Sequence, residues 1–234
     1  MKKKSATKKP SPWAIVKKVL LWMFIGQFVY VLLCKWINPP ITITQLVNAA
    51  RGHGLKRDNI SYAAMGTNIK LAVMAAEDQL FPDHNGFDIK AIKLAQKYNK
   101  KHPAKVRGAS TISQQTAKNV FLWQGGGYFR KGLEVYFTFM TEKIWGKKRI
   151  LQMYLNVAEM GPGIFGVQAA AKKYFNKDAK NLTRSEAAQI AACLPNPKKY
   201  TIKPQSRYIA YRSGNILRQM NNLDNDPDIT RLIK

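Results

Sequence analysis

Glu77-Asp78 follows a stretch that is apolar at Ile69, Leu71, Ala72, Val73, Ala75 and Ala76, and it precedes Phe81, His84, Gly86 and Asp88. A carboxylate emerging from an apolar wall has its charged form disfavoured, which suits it to proton transfer. Acids stabilise helix starts rather than helix ends, because the macrodipole is negative at the C-terminus. An acidic pair closing an apolar helix is therefore slightly uphill, and a chemical role accounts for it better than a plain helix end does.

A second cluster runs Arg107-Gly-Ala-Ser110-Thr111-Ile-Ser113-Gln114-Gln115-Thr-Ala-Lys118-Asn119. It combines uncharged hydrogen-bonding side chains with two cations. Ser110, Gln114 and Lys118 are spaced to share one helix face, and backbone N–H groups at a helix start can hold an anion. Such a face suits the hydroxyls, amides and phosphates of a sugar-diphosphate ligand. A solvated polar helix surface is the plainer alternative, and composition alone does not separate the two. In the third cluster, Arg130 and Lys131 stand four and three residues before Glu134. Taken alone, this is an exposed ion pair in the less favourable basic-first order. The fourth, Lys147-Lys148-Arg149-Ile-Leu-Gln-Met-Tyr154-Leu-Asn156, puts cations at a helix start. The dipole opposes them there, so a ligand is a better reason for them than the helix itself.

These residues need elements to hold them. From Gly66 onward the chain reads as helices separated by short polar breaks, over 68–78, 89–100 with an Asp88 cap, 110–123 with a Ser110 cap, 130–145, 147–158, 166–175, 183–193 and 204–220. Thr183 and Glu186 have capping-box spacing. No sustained period-two alternation occurs, so the fold is expected to be mainly α. Residues 38–65 read as a connector with a short helix after Thr44 and a turn at Gly52-His53-Gly54. Residues 1–12 form a basic tail, and 13–37 an apolar segment. The unbroken core of that segment, Val19–Cys34, is 16 residues, about 24 Å as a helix. Extending it from Trp13 to Ile37 reaches the ~30 Å of a hydrocarbon core if Lys17 and Lys18 snorkel. No small-x-small cleavage site follows Cys34, so an uncleaved single-pass anchor fits best. The lysine-rich tail then stays in the cytoplasm.

The 234 residues carry 39 Lys+Arg against 13 Asp+Glu, a formal charge of +26, with 46% hydrophobic residues. Wholesale disorder is excluded and an anionic partner is indicated. Eight lysines lie at or before Lys35, so the rest of the chain still carries +18. His53, His84 and His102 have no metal-ligand spacing, and Cys34 and Cys193 read as packing thiols with no bridge between them. Gly125-Gly126-Gly127 has no Lys-Ser/Thr after it and is no phosphate loop; it marks a mobile connection.

Glu77-Asp-x-x-Phe-x-x-His-x-Gly, Gly108-Ala-Ser-Thr-Ile-Ser-Gln-Gln-x-x-Lys, Arg130-Lys-x-x-Glu and Lys147-x-x-Ile-Leu-x-x-Tyr-Leu-Asn together resemble the peptidoglycan glycosyltransferase family in order and spacing, over roughly residues 66–200. The single anchor, with no penicillin-binding domain after it, is similar to the monofunctional members. The resemblance implies a mainly helical, lysozyme-like domain over 66–234, with a smaller membrane-associated lobe, preceded by one transmembrane helix. It implies polymerisation of lipid II on undecaprenyl diphosphate by inverting transfer that makes a β-1,4 bond. Glu77 would be the general base and Glu134 the second carboxylate, aiding departure of the diphosphate directly or through a divalent cation (Mg or Mn); the sequence itself requires no cofactor. Asp78, Phe81 and His84 would shape the first site. Ser110, Thr111, Gln114, Gln115, Lys118, Arg130, Lys131, Lys147 and Asn156 would hold diphosphate and sugar groups. The implied place is the bacterial inner membrane, with the N-terminus cytoplasmic and the catalytic domain periplasmic. The implied partners are lipid II, the growing glycan, membrane phospholipids and other cell-wall synthases, with no nucleic acid. Two departures stand out: Gln152 where many members have Glu, and no Arg before Gly166.

The lysine-rich stretch Ile89–Lys105, with an apolar stripe, is a candidate membrane-lying element. Three rivals are a glycan-cleaving lytic transglycosylase, a membrane-tethered nucleic-acid binder and an inactive cell-wall scaffold. The first also needs two carboxylates, but Asp rather than Ser follows Glu77, and the cations suit a diphosphate better than a neutral glycan. The second has the charge but no recognised nucleic-acid motif.

Overall fold

The computed structural model describes residues 11–234; the basic tail expected at the N-terminus lies almost wholly outside them. The chain divides into two compact units, the first ending at Ile37 and the second spanning Asn38–Lys234.

The first unit is one helix, α1 (Pro12–Leu33). Ser11 accepts from the Ala14 N–H at 3.2 Å, and Pro12 occupies the first turn, where its missing N–H costs nothing. Its 22 residues rise about 33 Å, enough to cross a hydrocarbon core. Among the described residues it is the one helix long and apolar enough to do so. It ends before the expected Ile37, because residues 34–37 close into turns onto Leu32 and Leu33.

The second unit is mainly α, as expected. A connector was expected between the anchor and Gly66, and the structure folds that segment into this unit. Its helix α2 (Ile43–Ala50) carries a Thr42/Gln45 capping box. The first half of the core is α3 (Thr67–Glu77), whose Ile69 and Leu71–Ala75 are buried. It packs against α9 (Arg184–Cys193) and α10 (Arg207–Leu223), which contribute Ala188, Ile190, Ile209, Ile216 and Met220. The second half is α5 (Ile112–Phe121) against α6 (Tyr128–Ile144) and α7 (Lys147–Val157). α7 is buried almost all round, from Ile150 through Val157 apart from Gln152, which marks a central helix. α4 (Ile89–Lys101) is the opposite case, with no buried residue. Asp88 caps it as expected, accepting from the Ala91 N–H at 2.8 Å. α8 (Val167–Phe175) completes this part, and α9 carries the expected Thr183/Glu186 capping box.

Two features differ from the sequence expectation. Three short strands form a small sheet: β1 (Lys56–Arg57) pairs parallel with β3 (Ile164–Phe165), which pairs antiparallel with β2 (Glu159–Gly161). Strands of two or three residues are too short to show alternation. Gly163, at φ +66°, closes the turn beside them, where a Cβ would meet the His53 carbonyl oxygen at 2.0 Å. A last helix, α11 (Pro227–Ile233), is capped by Asp226. It is fastened to the body by the Tyr62 hydroxyl, which donates to the Leu232 carbonyl at 2.6 Å, and by Lys70, which donates to that of Ile233 at 3.1 Å. Cys34 and Cys193 form no disulfide.

Candidate active site

α3 ends at Glu77 and Asp78, and each acid turns to a different task. The Asp78 carboxylate accepts from the Ile112 N–H at 2.9 Å, at the start of α5. There the positive end of a second helix supplies the partner that the end of α3 cannot. Asp78 also accepts from His84 Nε2 at 3.0 and 3.1 Å. Because His84 Nδ1 accepts from the Gly86 N–H at 3.1 Å, the imidazole proton is assigned to Nε2. Gly86 sits at φ +90°, and a Cβ there would meet Thr138 Cγ2 at 2.8 Å. Only glycine allows this close approach of the loop to α6. Phe81 is fully buried beneath the loop, with Lys147 Nζ 4.6 Å from its ring centroid.

Glu77 instead faces a cavity of about 850 Å³, lined also by Asp78, Ser110, Thr111, Gln115, Lys118 and Arg212. Gln115 Nε2 donates to Glu77 Oε2 at 2.8 Å, and Gln115 Oε1 in turn accepts from the Tyr154 hydroxyl at 3.1 Å. Tyr154 therefore fixes which end of the Gln115 amide meets the carboxylate. Oε1 of Glu77 has no hydrogen-bond partner among the described residues. Loss of bulk hydration raises the Glu77 pKa above its ordinary 4.5, against the opposing pull of the Gln115 hydrogen bond and the Arg212 and Lys118 charges.

Lys118 is a second cation of this cavity, beside Arg212. Its ammonium has no hydrogen bond or ion pair among the described residues, and burial lowers its pKa from 10.5. It lies within electrostatic range of Glu77 on one side and of Glu134, Arg130 and Lys131 on the other. It also lines a second cavity of about 490 Å³, shared with Gln115, Leu194 and Pro195 and walled by α2. The two cavities thus meet at Gln115 and Lys118.

The third cluster is not an exposed ion pair. Glu134 is 3% exposed, and both its oxygens are engaged, one by Arg130 Nη1 at 2.6 Å and the other by Lys131 Nζ. Removing Glu134 would leave the Arg130 cation uncompensated in a low-dielectric site, whereas either cation alone still pairs the carboxylate. Arg130 Nε is buried and has no partner among the described residues. Among the described residues no group of three or more His, Cys, Asp or Glu could hold a metal ion. With both Glu134 oxygens on cations, the donor set does not fit a divalent ion.

Six of the fourteen expected site residues line the cavities: Glu77, Asp78, Ser110, Thr111, Gln115 and Lys118. The others sit elsewhere. The cap of α5 is Thr111, not Ser110, and Gln114 closes a capping box on it, so Ser110 precedes the helix and shares no face with Gln114. Thr111 also donates to the Gly86 carbonyl at 2.7 Å. Lys147 Nζ donates to the His84 carbonyl at 2.5 Å and to Glu142 at 2.7 Å, and Glu142 also binds the Ser113 hydroxyl. Asn156 holds Ile60 by both its N–H and its carbonyl, each at 3.0 Å. Gln152 takes a hydrogen bond from Arg149 at 2.9 Å. Sequence reasoning missed Arg212, the orienting role of Tyr154, and Glu142. Glu142 had a faint signal, an acid inside the aromatic-rich run 128–145. Arg212 had none, since α10 reaches the site only through tertiary packing.

Residues 44–221 match the family model described as Transglycosylase. A biosynthetic peptidoglycan transglycosylase of Aeromonas hydrophila is 48% identical over 210 residues, covering 88% of this chain and 89% of the relative. One from Bdellovibrio bacteriovorus is 46% identical, covering 88% and 84%. One from Pseudomonas aeruginosa is 43% identical over 221 residues, covering 92% and 95%. A family match over most of the chain, and relatives this similar along nearly their whole length, place this chain in the transglycosylase family.

Proposed function

We propose that this chain polymerises lipid II into peptidoglycan glycan strands, with Glu77 as the general base. Peptidoglycan glycosyltransferase activity is what membership of the family carries. The observation that supports the residue roles is the pairing, across one cavity, of a desolvated carboxylate with an unpaired, desolvated lysine. Glu77 Oε1 takes the proton of the acceptor 4-hydroxyl as its oxygen attacks the donor anomeric carbon from one face. The bond from that carbon to the diphosphate oxygen breaks on the other face, which inverts the centre. Charge growing on the diphosphate falls to Lys118, with Arg130 and Lys131 held in place by Glu134. Asp78 and His84 position the end of α3 rather than touching the substrate.

α1 anchors the protein in the inner membrane, with the catalytic unit on the periplasmic side. Ile89, Leu94 and Val106 around α4, and Tyr128 and Phe129 at the start of α6, are exposed apolar residues among lysines. They suit contact with anionic phospholipid.

The test is incubation of the full-length protein with lipid II and, separately, with polymerised glycan. Consumption of lipid II with release of undecaprenyl diphosphate is expected, and the polymer should remain intact. Cleavage of the polymer with lipid II untouched would replace this reading by the lytic one.

A further inference from the structure

The smaller cavity has a wall that the transfer chemistry does not use. One face of α2, through Thr44, Val47, Asn48 and Arg51, lines it, at the spacing of a single helix stripe. Opposite lie Glu159 and Lys198. Asn48 is 4% exposed; its Nδ2 donates to the Thr44 carbonyl at 3.0 Å, and its Oδ1 has no partner among the described residues. A buried acceptor left unsatisfied is costly unless a ligand or water supplies a donor. The Arg51 backbone N–H donates to the Val47 carbonyl at 3.1 Å, while its guanidinium has no hydrogen bond or ion pair among the described residues. Lys198 reaches Glu159 only at 4.0 Å. With Lys118, the cavity therefore holds three cations against one acid.

We propose that this chamber is a subsite for the acidic peptide carried by the substrate sugar, with Asn48 accepting a peptide N–H and with Arg51 and Lys198 reading peptide carboxylates. The proposal rests on the lipid II reading above. A bare glycan offers hydroxyl and N-acetyl N–H donors but no carboxylate, and a diphosphate offers charge but no N–H donor. A peptide offers both, which is what this wall lacks. Its position, joined to the Glu77 cavity at Gln115 and Lys118, lets a peptide lie in one chamber while its sugar reacts in the other. Thr44 accepts from Gln124 Nε2 at 3.1 Å, which ties the α2 wall to the loop after α5.

The experiment compares lipid II bearing its full peptide with lipid II lacking the peptide. The full-length wild type is set against Arg51→Ala/Lys198→Ala, with Asn48→Ala as a second variant. The double variant should raise KM for the peptide-bearing substrate about five- to tenfold, the sum of two partly exposed charge contacts, with kcat little changed. Its KM for the peptide-free substrate should equal that of the wild type. An equal rise for both substrates would mean that the cations serve the diphosphate or the sugar, and no rise for either would mean that they serve neither; both results overturn the proposal. A wild type that polymerises neither substrate would instead overturn the polymerase reading itself.

Discussion

Replacing Glu77 by Gln is expected to lower kcat on lipid II by about 10²–10⁴-fold, the usual worth of a positioned general base, while raising the melting temperature. The two effects share one cause. Burial lifts the Glu77 pKa above 4.5, so the folded protein holds this proton more tightly than the unfolded chain. The resulting stability is fully present below the unfolded pKa and is lost as pH rises through the folded one. At neutral pH the ionised carboxylate is therefore a standing cost, which a neutral amide removes. Gln at position 77 still accepts from Gln115 through its Oε1, so the local geometry survives. A gain of ~1 kcal/mol would raise the transition by about 2–4 °C in a domain of this size. Thermal unfolding of the full-length protein in detergent, beside a polymerisation assay, checks both. A scaffold with no transfer chemistry would show the stability change without any activity to lose.

The second large effect is expected from Lys118→Met. Lys118 is the cation common to both cavities, and its ammonium has no hydrogen-bond or ion-pair partner among the described residues. Removing it should cost about 10²–10³-fold in kcat, as for loss of one preorganised group facing developing negative charge. Met keeps the length and apolar stem of the side chain. Burial depresses the lysine pKa, so its charged form is disfavoured in the fold and the variant should be at least as stable as the wild type. Lys118→Arg should recover part of the rate, since it restores the charge with a different shape. Polymerisation kinetics of the three proteins at one lipid II concentration above KM give the comparison. A wild-type rate in Lys118→Met would place the diphosphate elsewhere.

What could be read from the residues divides along a physical line. Helices announced by local signals were legible, such as the Asp88 cap of α4 and the Thr183/Glu186 box of α9. The start of α5 was misplaced by one residue, although the capping-box spacing of Thr111 to Gln114, which Ser110 lacks, was already present in the sequence. The three strands were not legible, being too short to show a repeated alternation. The i,i+4 spacing of Arg130 and Glu134 was plain, but their burial was not, because spacing says nothing of what covers a helix face. Glu77, Gln115 and Lys118, which line the cavities, were singled out from residue type and order. Arg212, the α2 wall and the Leu194–Lys198 segment were not, since distant elements bring them to the cavities only once the chain is folded.

The pH dependence of kcat/KM for lipid II, measured in the wild type and in Gln115→Leu, reaches the central claim most directly. Glu77 must be ionised to take the proton, so activity should fall as pH drops through a value above 4.5. Lys118 must be charged, so activity should also fall as pH rises through a value below 10.5. The Gln115 hydrogen bond holds the Glu77 pKa down, so Gln115→Leu should move the acid limb to higher pH and leave the basic limb in place. An acid limb at the same pH in both proteins would mean that a group other than Glu77 accepts the proton.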